Sequence, residues 1–183
     1  MKKEIKLNLG CWHRNFGDDW VHIDQCYMPH ISSHDIINLP FESNSVDLIY
    51  ASHVISYWDR VEVIDVLRNW KRFLKKGGIL RLAVPDFGVM SNLYQDGKVT
   101  LDDLLGPVYG HMQVAGEVIY HKTTYDHTSL IELLDNVGFN NIRRWDWRKV
   151  DHGIYDDHSQ AYMAPKGDKE NGTLISLNVE CTK

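Results

Sequence analysis

Two features near the start of the chain have the types and spacing to hold a nucleoside. The apolar run Ile5–Leu9 stops at Gly10, and Asp24 closes a second short run, Val21–Ile23, fourteen residues after that glycine. A glycine at a strand end lets the backbone approach a ligand closely or turn with positive φ. A carboxylate at the end of the next strand can accept both hydroxyls of a ribose. Each also has a plainer reading, the glycine as a simple turn and the aspartate as a solvated turn residue or cap.

A second supply of chemistry lies in two less regular stretches, Phe87–Thr128 and Asp151–Gly172, which hold five of the ten histidines. His111, His121, Asp126, His127, Asp151, His152, Asp156, Asp157 and His158 could line a sugar pocket or ligate a divalent metal. No H-E-x-x-H or comparable spacing occurs, so no metal is expected. Tyr109, Tyr120, Tyr125, Trp145, Trp147, Tyr155 and Tyr162 crowd the same regions, and flat amphipathic rings beside carboxylates suit a polar ring-shaped molecule, although core packing explains most aromatics. His111, Tyr125, Gln160 and Tyr162 are the expected acceptor contacts.

Elements of alternating type must position these groups. Strand-like runs are expected at Ile5–Leu9, Val21–Ile23, Asp35–Ile37, Val46–Ala51, Gly78–Val84, Ile142–Trp147 and Leu174–Val179. Val63, Ile64, Leu67, Trp70 and Leu74 form one stripe of a helix over Asp59–Lys76, with an Asp59/Glu62 capping box and Gly77 at its close. A second helix is expected over Ser129–Val137, capped by Ser129 and Glu132 and closed by Gly138. This alternation predicts an α/β fold with a mainly parallel sheet, one domain over residues 1–183, whose ligand sits outside the carboxyl ends of the strands where strand order reverses.

Bulk properties narrow the partners. A net charge of -5 offers no general attraction to nucleic acid, and the basic pairs Lys71–Arg72, Lys75–Lys76 and Arg143–Arg144 are interleaved with acidic or apolar residues. No run approaches the length that spans a bilayer and no secretory signal is expected, which predicts a cytoplasmic protein. Cys11, Cys26 and Cys181 are odd in number and far apart, so neither a disulfide framework nor a cysteine-rich zinc site is expected.

In the order of its segments the chain resembles the class I S-adenosylmethionine-dependent methyltransferases. The matching pieces are LNLGC (Leu7–Cys11), VHID (Val21–Asp24), DIINLPFESNSVDLIYASHV (Asp35–Val54) and LKKGGILRLAVPDF (Leu74–Phe87). The tail from Trp145 to Glu180 is similar to a compact branch whose members often accompany surface-glycan genes. The resemblance implies a doubly wound, seven-stranded Rossmann-like sheet and S-adenosylmethionine as cofactor. It implies that Gly10 with Asn8, Cys11 and Trp12 passes under the methionine part and that Asp24 holds the ribose. Asp35 and Ile36, with Leu39, would border the adenine, and Ser52 and His53 would lie near the sulfonium. Pro85 and Asp86 would start the loop facing the acceptor, with His53 the first candidate base and Asp86 the second.

Three departures from the family pattern stand out. Trp12 occupies the place of a second glycine, only Gly10–Asp19 is available for the first crossover, and Tyr57 stands where relatives often have a histidine. The implied activity is methyl transfer to a small polar acceptor, such as a sugar or glycan hydroxyl. A methyltransferase-fold binding or partner module without catalysis is the alternative, while a nicotinamide oxidoreductase lacks its G-x-G-x-x-G turn.

Overall fold

The computed structural model describes residues 3–114 and 116–183. Seven strands form one sheet: β1 (Lys6–Leu9), β2 (Trp20–Ile23), β3 (Ile31–Ser33), β4 (Val46–Ser52), β5 (Leu74–Pro85), β8 (Asn140–Arg144) and β11 (Ser176–Thr182). Their spatial order is β3-β2-β1-β4-β5-β11-β8, so the order reverses between β1 and β4. Neighbours from β3 to β5 run parallel, and β11 alone is antiparallel to both its neighbours.

Helix α1 (Glu62–Phe73) buries Val63, Val66, Leu67, Trp70 and Phe73 along one stripe. Asp59 caps it by accepting from the amides of Val61 and Glu62, and Glu62 accepts in return from the Asp59 amide. The helix stops short of the expected Lys76 because Leu74 turns extended and pairs with Val46, opening β5. Gly77, with φ +75, therefore sits inside the strand, where its amide donates to the Lys183 carbonyl, and does not close the helix.

Helix α4 (His127–Val137) begins two residues earlier than expected. Its cap is Asp126, which accepts from the Ser129 amide while Ser129 accepts from the Asp126 amide, so Ser129 is the inner member of the box and Glu132 has no part in it. Gly138 closes it in the left-handed conformation. The third strand lies at Ile31–Ser33, not Asp35–Ile37, because the Asp35 carboxylate draws in the amides of Ile37 and Asn38 and turns the chain. At the far edge β8 ends at Arg144, Asp146 caps a 3-10 turn over Trp147–Lys149, and β11 starts at Ser176 and runs on to Thr182.

The stretch Phe87–Thr128 is more regular than its composition implies. It holds α2 (Phe87–Gln95), capped by Asp86, α3 (Leu101–Tyr109), capped by a Thr100/Asp103 box, and a hairpin of β6 (Met112–Val114) and β7 (Glu117–Ile119). A short pair, β9 (Tyr162–Met163) with β10 (Thr173–Leu174), precedes β11. The β1–β2 crossover contains no helix and is a loop from Gly10 to Asp19.

Side chains alternate across the sheet. Leu7, Leu9, Ile49, Ala51, Leu80, Leu82, Leu177 and Val179 join one core with residues of α1 and α4. Tyr50 and Ala83 point the other way, into a cluster with Phe16, Trp20, Trp145, Trp147 and Tyr155 under loops.

Candidate functional site

A cavity of about 1050 Å³ opens at the carboxyl ends of the strands, beside the β1/β4 reversal. Gly10, Trp12, Asp24 and Ile36 line one end, Ser52, His53 and Val54 form the floor, and α3 with the following hairpin supplies the opposite wall.

Gly10 is required by close approach. It has φ +66, and a Cβ there would lie 2.3 Å from Val54 Cγ2, well inside contact distance. Asp24 is buried, and its two carboxylate oxygens accept from the backbone amides of Trp12 (2.7 Å) and Cys26 (2.9 Å). Each oxygen keeps a further lone pair for a ligand hydroxyl. Trp12 is held with φ 47 and is exposed at the cavity mouth, its indole edge-on to His13.

On the floor, the Ser52 hydroxyl is buried without a hydrogen-bond partner among the described residues. His53 has left-handed backbone (φ 55), a conformation that non-glycine residues keep only where the surroundings enforce it. Its imidazole stacks on His158 with ring centroids 5.1 Å apart, and Nε2 lies 3.3 Å from Ser176 Oγ. Burial, then the neighbouring His158, His121 and Arg14, hold the His53 pKa well below its ordinary value. Burial also lowers His121 and His158. Three imidazoles with lowered pKa thus face one cavity.

The expected site residues divide clearly. Gly10, Trp12, Asp24, Ile36, Ser52, His53 and His111 line the cavity. Cys11 lies beneath it, where burial pushes its thiol up to about 12, and Asn8 is buried on β1 opposite Tyr50. Leu39 is in the main core, and the carboxylate of the exposed Asp35 is committed to its own turn. Asp86 lies outside the cavity, buried at the start of α2, where it accepts from the Val89 amide. Tyr125 packs in the main core beside Asp86. Gln160 donates to the carbonyls of Gly153 and Tyr155, and Tyr162 accepts from the Trp147 indole.

His121 and His158, from the expected polar set, also line the cavity, and the structure adds Arg14 and Tyr57 to its wall. Tyr57 meets His121 edge-on, with ring centroids 4.7 Å apart. Among the described residues, no group of three His, Cys, Asp or Glu side chains is placed to hold a metal ion, and no helix is long and apolar enough to cross a membrane.

Comparison with known proteins agrees with this architecture. Residues 15–82 match the sequence model of a methyltransferase domain. Among solved structures, an S-adenosylmethionine-dependent methyltransferase from Archaeoglobus fulgidus superposes with a TM-score of 0.57 at 13% identity, covering 100% of this chain and 87% of the other. One from Methanosarcina mazei gives 0.56 at 13% identity, covering 100% and 94%. A 1,6-didemethyltoxoflavin N1-methyltransferase from Burkholderia thailandensis, solved with its substrate and S-adenosylhomocysteine bound, gives 0.54 at 11% identity, covering 98% and 70%. No curated protein sequence matches the chain. The seven strands in this order give the chain the fold of the class I S-adenosylmethionine-dependent methyltransferases, and its residues 15–82 match a methyltransferase domain.

Proposed function

We propose that this chain transfers a methyl group from S-adenosylmethionine to a hydroxyl of a small acceptor, with a sugar or glycan the favoured class. The observation that carries the reading is the convergence of Gly10, Asp24, Ser52 and His53 on one cavity at the strand reversal. The cradle left by Gly10, the free lone pairs of Asp24 and the orphan Ser52 hydroxyl fit that cofactor. When bound, it supplies an electrophilic methyl group.

The chain's own share is alignment, exclusion of water and removal of the acceptor proton. Asp24 holds the ribose hydroxyls, and Ile36 borders the base. His53, whose pKa burial holds below its ordinary value, takes the proton as the methyl arrives. Tyr57, His111, Tyr120 and His121 offer ring faces and polar edges on the acceptor side. Asp86, outside the cavity and engaged as a cap, is the second candidate base. The reading as a binding module without catalysis draws on Trp12, a large ring where the family turn has a glycine.

Calorimetric titration with S-adenosylmethionine and S-adenosylhomocysteine, paired with turnover, tests these assignments. Asp24→Ala is expected to weaken cofactor binding by about tenfold or more, since it removes a charge-assisted acceptor. His53→Ala is expected to lower turnover by roughly a hundredfold with cofactor affinity held. Unchanged affinity in the first variant places the ribose elsewhere. Equal losses of affinity and turnover in the second make His53 a binding residue, and wild-type protein that binds cofactor without turning over any sugar acceptor favours the module reading.

A further inference from the structure

His53 is joined to a chain of hydrogen bonds that has only one possible direction. The buried Asn178 donates from Nδ2 to the Ser159 carbonyl at 2.9 Å, which fixes its Oδ1 as the end that faces Ser176. Ser176 donates its only hydroxyl proton to that Oδ1, also at 2.9 Å. Its oxygen then has lone pairs alone to offer the His53 ring, 3.3 Å away. Only an Nε2–H can make that contact favourable, because a bare Nε2 would set one lone pair against another. No other hydrogen bond reaches the ring among the described residues, so Nδ1 is left with its lone pair unused.

We infer that Ser176 and Asn178 are positioning residues that fix His53 as the Nε2–H tautomer, so that Nδ1 is the atom that receives the acceptor proton. The placement supports this. Ser176 and Asn178 are two apart on β11, so both project to the same side of the sheet, and both are buried in a strand flanked by two others. Polar side chains there are costly unless paired, and these two are paired with each other and with His53. The left-handed backbone of His53, whose amide donates to the Ala83 carbonyl, keeps the ring at the end of this chain. The transfer would then balance as follows: the acceptor O–H bond breaks and Nδ1 gains the proton, the oxygen electron pair forms the new bond to the methyl carbon, and the methyl–sulfur bond breaks with its electron pair staying on sulfur, which leaves as the neutral thioether. The inference rests on the proposed role of His53 as base.

Nitrogen-15 NMR of histidine-labelled protein, with His53 assigned by its loss in His53→Gln, reads the tautomer directly. Wild type is expected to show a protonated Nε2 and a bare Nδ1. Asn178→Leu frees the Ser176 hydroxyl to rotate and donate, so the Nδ1–H form is expected to become a major species. Ser176→Ala removes the partner and is expected to give a mixture. Both variants should lose about tenfold in turnover, a fraction of what a general base contributes, with cofactor affinity unchanged. A wild-type Nδ1–H tautomer, or a tautomer that moves in neither variant, overturns the inference whatever the turnover. A tautomer that moves without loss of turnover supports the hydrogen-bond chain and instead overturns His53 as the base.

Discussion

The two faces of the sheet are built on different principles. On one, Leu7, Leu9, Ile49, Leu80, Leu82 and Val84 meet α1 and α4 through aliphatic contacts, with Trp70 at the centre, fully buried. On the other there is no covering helix from the first crossover, and loops lie over His22, Tyr50, Arg81 and Glu180. The pieces there are tied by specific polar contacts. Tyr50 donates to Asp157 at 2.6 Å, His22 accepts from the Phe16 amide at 2.8 Å, and Arg81 reaches both His152 and Glu180. Apolar burial tolerates small shifts, whereas hydrogen bonds prescribe distance and direction. The helical face is therefore read as the source of stability, and the loop face as the source of geometry for the 157–160 turn that carries His158 to the cavity.

The largest effect that can break this contrast is on the helical face. Trp70→Ala removes a filled core position and leaves the Ile36 carbonyl without its indole donor. It is expected to cost about 3–5 kcal/mol in urea unfolding. If it costs less than a polar deletion across the sheet, stability does not reside where we place it.

Tyr50→Phe removes one hydroxyl from the loop face. It leaves the buried Asp157 carboxylate with fewer donors and is expected to cost about 1–3 kcal/mol. Turnover is expected to fall as well, because Asp157 also accepts from the Ser159 amide and anchors the turn beside His53. A stability loss with normal turnover would separate the turn from the site.

A graded effect should distinguish the faces by pH. Burial first, with nearby positive or histidine charge, lowers His22 to about 4 and His152 to about 3 from an ordinary 6.5. Their folded pKa values lie below the unfolded one, so the unfolded chain gains protons first as pH falls. Stability is complete above about pH 6.5 and declines progressively below it, toward the two folded values. Urea midpoints measured from pH 7 down to pH about 5 are expected to fall, and His152→Gln should flatten the slope. An unaltered slope in that variant assigns the titration to other groups.

The same contrast explains what could be read from residue order. Period-two alternation in Leu7–Leu9 and the three-four spacing of Val63, Leu67 and Trp70 announce the helical face, since burial against regular elements leaves a regular trace. Gly10 and Asp24 were legible because strand ends bring them together within fourteen residues. The loop face leaves no such trace. Tyr50 and Asp157 are 107 residues apart, and His53 and Ser176 are 123 apart, so no local spacing links them. Asp126 and Ser129 show the same limit at short range, because both residue types cap helices and only the fold decides between them.

The position of β11 has a consequence for how the molecule assembles. It lies between β5 and β8, although it follows both in the chain, and it pairs Thr182 with Ile79 and Ser176 with Pro85. During synthesis β8 leaves the ribosome before the strand that joins it to the sheet exists. Contacts of such long sequence separation form slowly, since loop closure precedes their reward. Until β11 inserts, the outer edge of β5 has no partner, β8 has no sheet, and His53 lacks Ser176. Closure of the sheet and formation of the His53–Ser176 contact at the cavity floor are then one folding event, and a nascent chain that has made β1 to β10 still lacks that contact.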